Sequence, residues 1–262
     1  MRPEDRISAA IQQAGSEGRT ALVAFITAGY PHRDRFAGQL AALSRAADVV
    51  EIGVPFSDPM ADGLTIQRAS QAAIASGVTL TWILDQIEMV DAEAPLVLMS
   101  YLNPLLAFGY ERLAERAAAV GVAGFIVPDL PLDESEEIGA ALRDQGLALI
   151  QLVTPVTTDE RLAQACAASG GFVYAVTVTG ITGGNSGGNE DLAGYLQRVA
   201  AASPVPVCAG FGVREPAQVA EIGRYVPGVI VGSALVEAME RGQEPADFIR
   251  SLAAGTRPAV QG

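Results

Sequence analysis

The chain has 262 residues, half of them hydrophobic, with a formal charge of −13 and an isoelectric point near 4.5. That length and apolar content suffice for one large core, while the acidic balance repels phosphate backbones and anionic membranes, which argues against nucleic acid or a bilayer as partner. All 17 basic residues are arginine and His32 is the single histidine, so a lysine Schiff base is excluded and a metal centre lacks its usual ligands.

The opening stretch MRPEDRISAAIQQAG predicts a helix ahead of the first strand. It carries both signs of charge and no apolar centre, so neither a signal nor a transit peptide is expected. ALVAFIT from Ala21 predicts the first strand, and RDRFAGQLAALSRAA has the apolar spacing of a helix. VVEIGV from Val49 predicts the second strand. A loop bearing Asp58 and Asp62 follows it, and LTIQRASQAAIASG then predicts an extra helix. PLVLMS from Pro95 predicts the third strand, followed by Asn103, Pro104 and the helical YERLAERAAAVG. AGFIVP from Ala123 predicts the fourth, with Asp129 after it, and LALIQLV from Leu147 the fifth. GFVYAV from Gly171, VPVCA from Val205 and GVIVGS from Gly228 complete the series.

Eight short apolar strands alternating with helices predict a (β/α)8 TIM barrel, a single domain over residues 1–262. The N-terminal helix and further helices after strands 2 and 8 are additions to the basic unit, and a doubly wound open sheet is the alternative. Cys166 and Cys208, far apart in apolar surroundings, read as buried thiols of a reducing compartment. No apolar run approaches the roughly 18 residues that span a bilayer, so a soluble, cytoplasmic protein is expected.

In such a barrel chemistry belongs where strands end and βα loops begin. The loops after strands 6, 7 and 8 are rich in glycine, and Ser233 is placed to cap a helix starting at Ala234. Free amides at that helix end, approached closely through Gly183, Gly212 and Gly232, predict a phosphate site without basic side chains, although the glycines also suit tight turns alone. Glu51 alternates with Val49 and Gly53 on one side of strand 2. If that side faces the barrel axis, desolvation raises its pKa toward the range useful for proton transfer, with Asp62 beside it able to ionise; a structural ion pair is the competing reading of Glu51. Asp58, followed by Pro59, reads as a turn residue.

The stretch VEIGVPFSDPMADGLTIQRAS closely resembles the signature of the tryptophan synthase α subunit family. The likeness continues through AFITAGYP, LMSYLNPLLAFG, GFIVPDLPLDES, TPVTTDERL, GFVYAVTVTGITG, AGFGV and VGSALV, in order over nearly the whole chain. The resemblance implies retro-aldol cleavage of indole-3-glycerol phosphate to indole and glyceraldehyde 3-phosphate, within an α2β2 complex. It implies no cofactor in this chain, pyridoxal phosphate belonging to the β partner. By the same resemblance Glu51 is the general acid–base and Asp62 the carboxylate that receives the indole N–H. Tyr174, Phe25, Leu102 and Ile126 match positions around the indole. Gly183, Phe211, Gly212, Gly232 and Ser233 match the phosphate loops, and Thr182 a loop threonine that closes over the site. Asp58, Asn103, Pro104 and Asp129 fall where the partner would sit. A free-standing indole-3-glycerol-phosphate lyase and a non-catalytic phosphate-binding barrel that activates a β partner are the rival expectations.

Overall fold

The computed structural model describes residues 2–177, 192–210 and 212–256. Helix α1 (Pro3–Ser16) precedes strand β1 (Ala21–Thr27), and helix α2 (Phe36–Ser44) leads to β2 (Val49–Gly53). Two helices, α3 (Leu64–Ala75) and α4 (Leu80–Glu88), separate β2 from β3 (Leu96–Met99). Two more, α5 (Leu102–Phe108) and α6 (Tyr110–Ala119), separate β3 from β4 (Val122–Ile126). Simple alternation follows through α7 (Glu136–Asp144), β5 (Ala148–Val153), α8 (Asp159–Ala168), β6 (Val173–Val176), α9 (Leu192–Ala202), β7 (Val207–Gly210), α10 (Pro216–Ile222) and β8 (Gly228–Val231). Helices α11 (Ser233–Glu240) and α12 (Pro245–Leu252) end the barrel.

The strands pair in chain order, every pair parallel, and β1 joins β8 to close the barrel. Closure overturns the open-sheet alternative. Strands buried on both faces must be apolar on both, which is why they read as short continuous runs. Leu22, Ala24, Val50, Ile52, Leu96 and Leu98 turn outward to a core shared with the helices. Val23, Val49, Val97, Ile150, Phe172 and Cys208 turn inward and fill the barrel.

Ile7, Ile11 and Ala14 of α1 belong to that inner cluster. A Cβ on Gly124, within β4, or on Gly171, just before β6, would meet Ile7 at 3.2 or 3.1 Å, so these glycines make room for it. Helix α1 thus stops one end of the barrel and leaves the other end open. In β4 the pairing register shifts, so that Val97 faces Gly124. The bulge lets both Ala123 and Ile126 reach the interior although they lie three residues apart.

Helix α5 was not anticipated, because Asn103 and Pro104 read as loop residues. Pro104 lies in the first turn of α5, where a missing backbone N–H costs nothing. The start of α11 also differs from expectation: the helix begins at Ser233 with Gly232 as its N-cap, and no side chain caps it. Among the described residues no helix is long and apolar enough to cross a membrane.

Candidate active site

A cavity of about 390 Å³ opens at the C-terminal ends of the strands. Phe25, Glu51, Leu152, Tyr174 and Ile230 line it from five different strands, while Asp62, Gly212, Gly232 and Ser233 come from the loops above. The volume suits a small organic ligand, and no basic side chain lines the cavity among the described residues.

Glu51 pairs with Phe25 of β1 and Val97 of β3, two inward positions, so strand alternation delivers it to the cavity floor. It is only 1% exposed, and its Oε2 has no hydrogen-bond partner among the described residues. Burial first, and the nearby Asp62 carboxylate second, push its pKa up to about 8. The structural ion pair considered for Glu51 is absent among the described residues. A carboxyl of this kind holds its proton at neutral pH and can give it away.

Asp62 is differently placed. Burial lifts its pKa to about 6, against a lowering contribution from the Tyr101 hydroxyl, which donates to Oδ2 at 3.2 Å. Near neutrality one carboxyl is therefore largely protonated and the other largely ionised, a division of acid from anion set by environment. The Tyr174 hydroxyl is pushed well above its ordinary pKa, by burial and then by Glu51 and Asp62, and so remains a neutral donor.

The other side of the cavity is made of backbone. Gly212 has φ +76°, a left-handed conformation that favours glycine. Gly210 brings β7 against β8, since a Cβ there would lie 2.4 Å from the Ile230 carbonyl oxygen. The first bonded amide of α11 is Leu235 N–H, which donates to the Gly232 oxygen at 2.8 Å. The amides of Ser233 and Ala234 precede it at a positive helix end, an arrangement suited to an anion.

The cavity thus brings together Phe25, Glu51, Asp62, Tyr174, Gly212, Gly232 and Ser233. Ile126 is inside the barrel but does not line the cavity, and Leu102 packs against the outer core. Thr182, Gly183 and Phe211 lie outside the described residues. Asp58, Asn103 and Asp129 are exposed and Pro104 half-buried, all on loops or helix starts at the same end as the cavity. The Asp129 carboxylate accepts the Leu102 N–H at 2.9 Å. Leu152 and Tyr101 carry no expectation from the sequence, and Thr154 stands out there only as a departure from the family's pattern, not as a cavity residue. Thr154 and Leu152 line the cavity, and Tyr101 is 4% exposed beneath Asp62. A tyrosine at the end of an apolar strand was the available signal, because a buried hydroxyl requires a partner.

Comparison with known proteins adds a separate line of observation. Residues 11–258 match the family model described as tryptophan synthase alpha chain. A tryptophan synthase alpha chain of Nitratidesulfovibrio vulgaris is 44% identical over 251 residues, covering 95% of this chain and 98% of the relative. One from Acidiphilium cryptum is 45% identical over 241 residues, covering 90% and 87%. Among solved structures, a tryptophan synthase from M. tuberculosis in an open form superposes with a TM-score of 0.87 at 38% identity, covering 96% of this chain and 98% of that one. Tryptophan synthase subunit alpha from Legionella pneumophila gives 0.85 at 31% identity, covering 97% of each.

Proposed function

Because the chain belongs to the tryptophan synthase alpha chain family, we propose that its cavity cleaves indole-3-glycerol phosphate to indole and glyceraldehyde 3-phosphate. The family gives it a lyase role in tryptophan biosynthesis. The single observation that carries the specific reaction is the pair of buried carboxyls, Glu51 protonated and Asp62 ionised, on the floor and rim of one cavity.

An indole ring leaves a carbon chain once C3 accepts a proton, since the resulting iminium at N1 can take up the electrons of the breaking bond. Glu51 donates that proton to C3, and the Asp62 carboxylate receives the N1–H and offsets the positive charge. The Glu51 carboxylate then takes the proton of the hydroxyl on the carbon attached to C3. The C–C bond breaks, the aldehyde forms, and Glu51 is again protonated. No proton is gained or lost, and no metal or cofactor enters the step. Amides at the start of α11 and around Gly212 hold the phosphate.

The β subunit of tryptophan synthase is the proposed partner, in an α2β2 complex, with pyridoxal phosphate bound only in that partner. Exposed apolar side chains support this surface: Met60, Leu64, Leu106 and Val156 are 86%, 80%, 57% and 89% exposed on segments following β2, β3 and β5. Large apolar side chains left exposed at the cavity end of the barrel suit a contact surface.

The test is indole release from indole-3-glycerol phosphate by the full chain, titrated with a β subunit. Turnover that rises with added β subunit is the expected result. Full turnover by the chain alone would favour a free-standing lyase, and none under either condition would leave only a scaffold role.

The cavity wall supplies a finer prediction. A Cβ on Gly53 would fall 2.5 Å from Cζ of Phe25, so Gly53→Ala must drive that ring into the space proposed for the indole. KM for the substrate should rise about tenfold or more, with a smaller effect on kcat, as read from steady-state kinetics.

A further inference from the structure

Tyr101 is the N-cap residue of α5, and its ring stacks on Phe56 with centroids 5.1 Å apart. Its hydroxyl accepts the Ala61 N–H at 2.9 Å and donates to Asp62 Oδ2 at 3.2 Å. A phenol has a single proton, and with the Ala61 amide occupying an acceptor position that proton is directed at the carboxylate. Burial and the charge of Asp62 raise the Tyr101 pKa above its ordinary value, so the proton stays on the phenol.

We propose that Tyr101 is a positioning residue that clamps the Asp62 carboxylate in the orientation needed to receive the substrate's N–H. The inference rests on the reading of Asp62 given above. Ala61 and Asp62 are consecutive, so one hydroxyl grips both the backbone and the side chain of the loop after β2. Gln67 Nε2 donates to the Asp62 carbonyl at 2.8 Å and fixes the same peptide from α3. With Oδ2 held by Tyr101, Oδ1 has no hydrogen-bond partner among the described residues and can take a ligand's donor. The clamp is itself anchored, because the neighbouring Leu102 N–H is tied to Asp129 after β4.

Tyr101 also separates the two carboxyls. The titratable groups facing Asp62 are Glu51 from β2, Tyr174 from β6 and Tyr101, and none is basic. Among the described residues Tyr101 supplies the one side-chain hydrogen bond to the Asp62 carboxyl, whereas Oε2 of Glu51 has none. Burial pushes both acids up, and only Asp62 has a donor opposing that push.

Tyr101→Phe keeps the ring on Phe56 and removes one oxygen. The titration of Asp62, followed by carboxyl carbon NMR on the ligand-free full chain, should move up by about one pH unit. The acid limb of the pH profile for indole release should move up with it, and kcat/KM on the plateau should fall roughly tenfold. An Asp62 midpoint equal to the wild-type value in a folded variant would overturn the clamp. The NMR reading needs no turnover, so a shifted midpoint in a chain that releases no indole would support the clamp while removing the reaction assigned to the site.

Discussion

Glu51→Gln is expected to cut indole release steeply and, at alkaline pH, to make the protein more stable than the wild type. The loss should be about 10²- to 10⁴-fold in kcat, the range for removing a positioned acid–base, since glutamine of the same shape can neither give nor take the proton. The gain follows from the depth of the residue. The unfolded chain releases the Glu51 proton near the ordinary value of 4.5, but the folded chain keeps it until about 8. Between those values the native state binds one proton more than the unfolded state, so stability falls as pH rises through the window. Fully developed, above about pH 8, the cost is up to ~5 kcal/mol for this residue. Glutamine carries no such charge. Denaturant unfolding of both proteins should therefore agree near pH 5 and diverge by several kcal/mol near pH 9, the variant being the more stable. Turnover within about tenfold of wild type would remove Glu51 from the proton transfers.

Asp62→Asn tests the other half of the pair. Wild-type kcat/KM should trace a bell whose acid limb lies near pH 6, where Asp62 takes up a proton, and whose alkaline limb lies near pH 8, where Glu51 loses one. Asparagine still presents an acceptor oxygen to the indole N–H but cannot offset a positive ring, and kcat/KM should fall about 10²- to 10³-fold. The acid limb should disappear. The alkaline limb should move to lower pH, because the negative charge of Asp62 contributes to holding the proton on Glu51. An alkaline limb that stays in place would mean that the two carboxyls are not coupled.

Much of this site is legible along the chain because strand alternation is a local property. Glu51 between Val50 and Ile52 has to share a face with Val49 and Gly53, and it does. The glycines of the late loops are legible for a similar reason, the left-handed φ of Gly212 being a demand on one residue. Other assignments depended on longer range. Ile126, expected from the resemblance at the cavity, packs in the inner cluster of the barrel instead of on the cavity wall, a placement set by its neighbours Ile150 and Phe172 and not by its own strand. Ser233 begins α11 as its first residue instead of capping it, a shift of one position that local signals did not resolve. The role of Tyr101 is not legible locally because its partners, Ala61 and Asp62, lie about 40 residues earlier and meet it only through the pairing of β2 with β3.

The sequence alone determined the count and order of the βα units, which residues of β2 share a face with Glu51, and the exclusion of lysine chemistry. Each follows from residue type or from a period of two, neither of which needs a neighbour distant in the chain. Tertiary structure decided that the sheet closes, that α1 stops one end and leaves the other open, and that Glu51 and Asp62 have different affinities for a proton. Those outcomes depend on desolvation and on charges and hydrogen bonds acting through space, between groups that the closed barrel brings together and the linear order keeps apart.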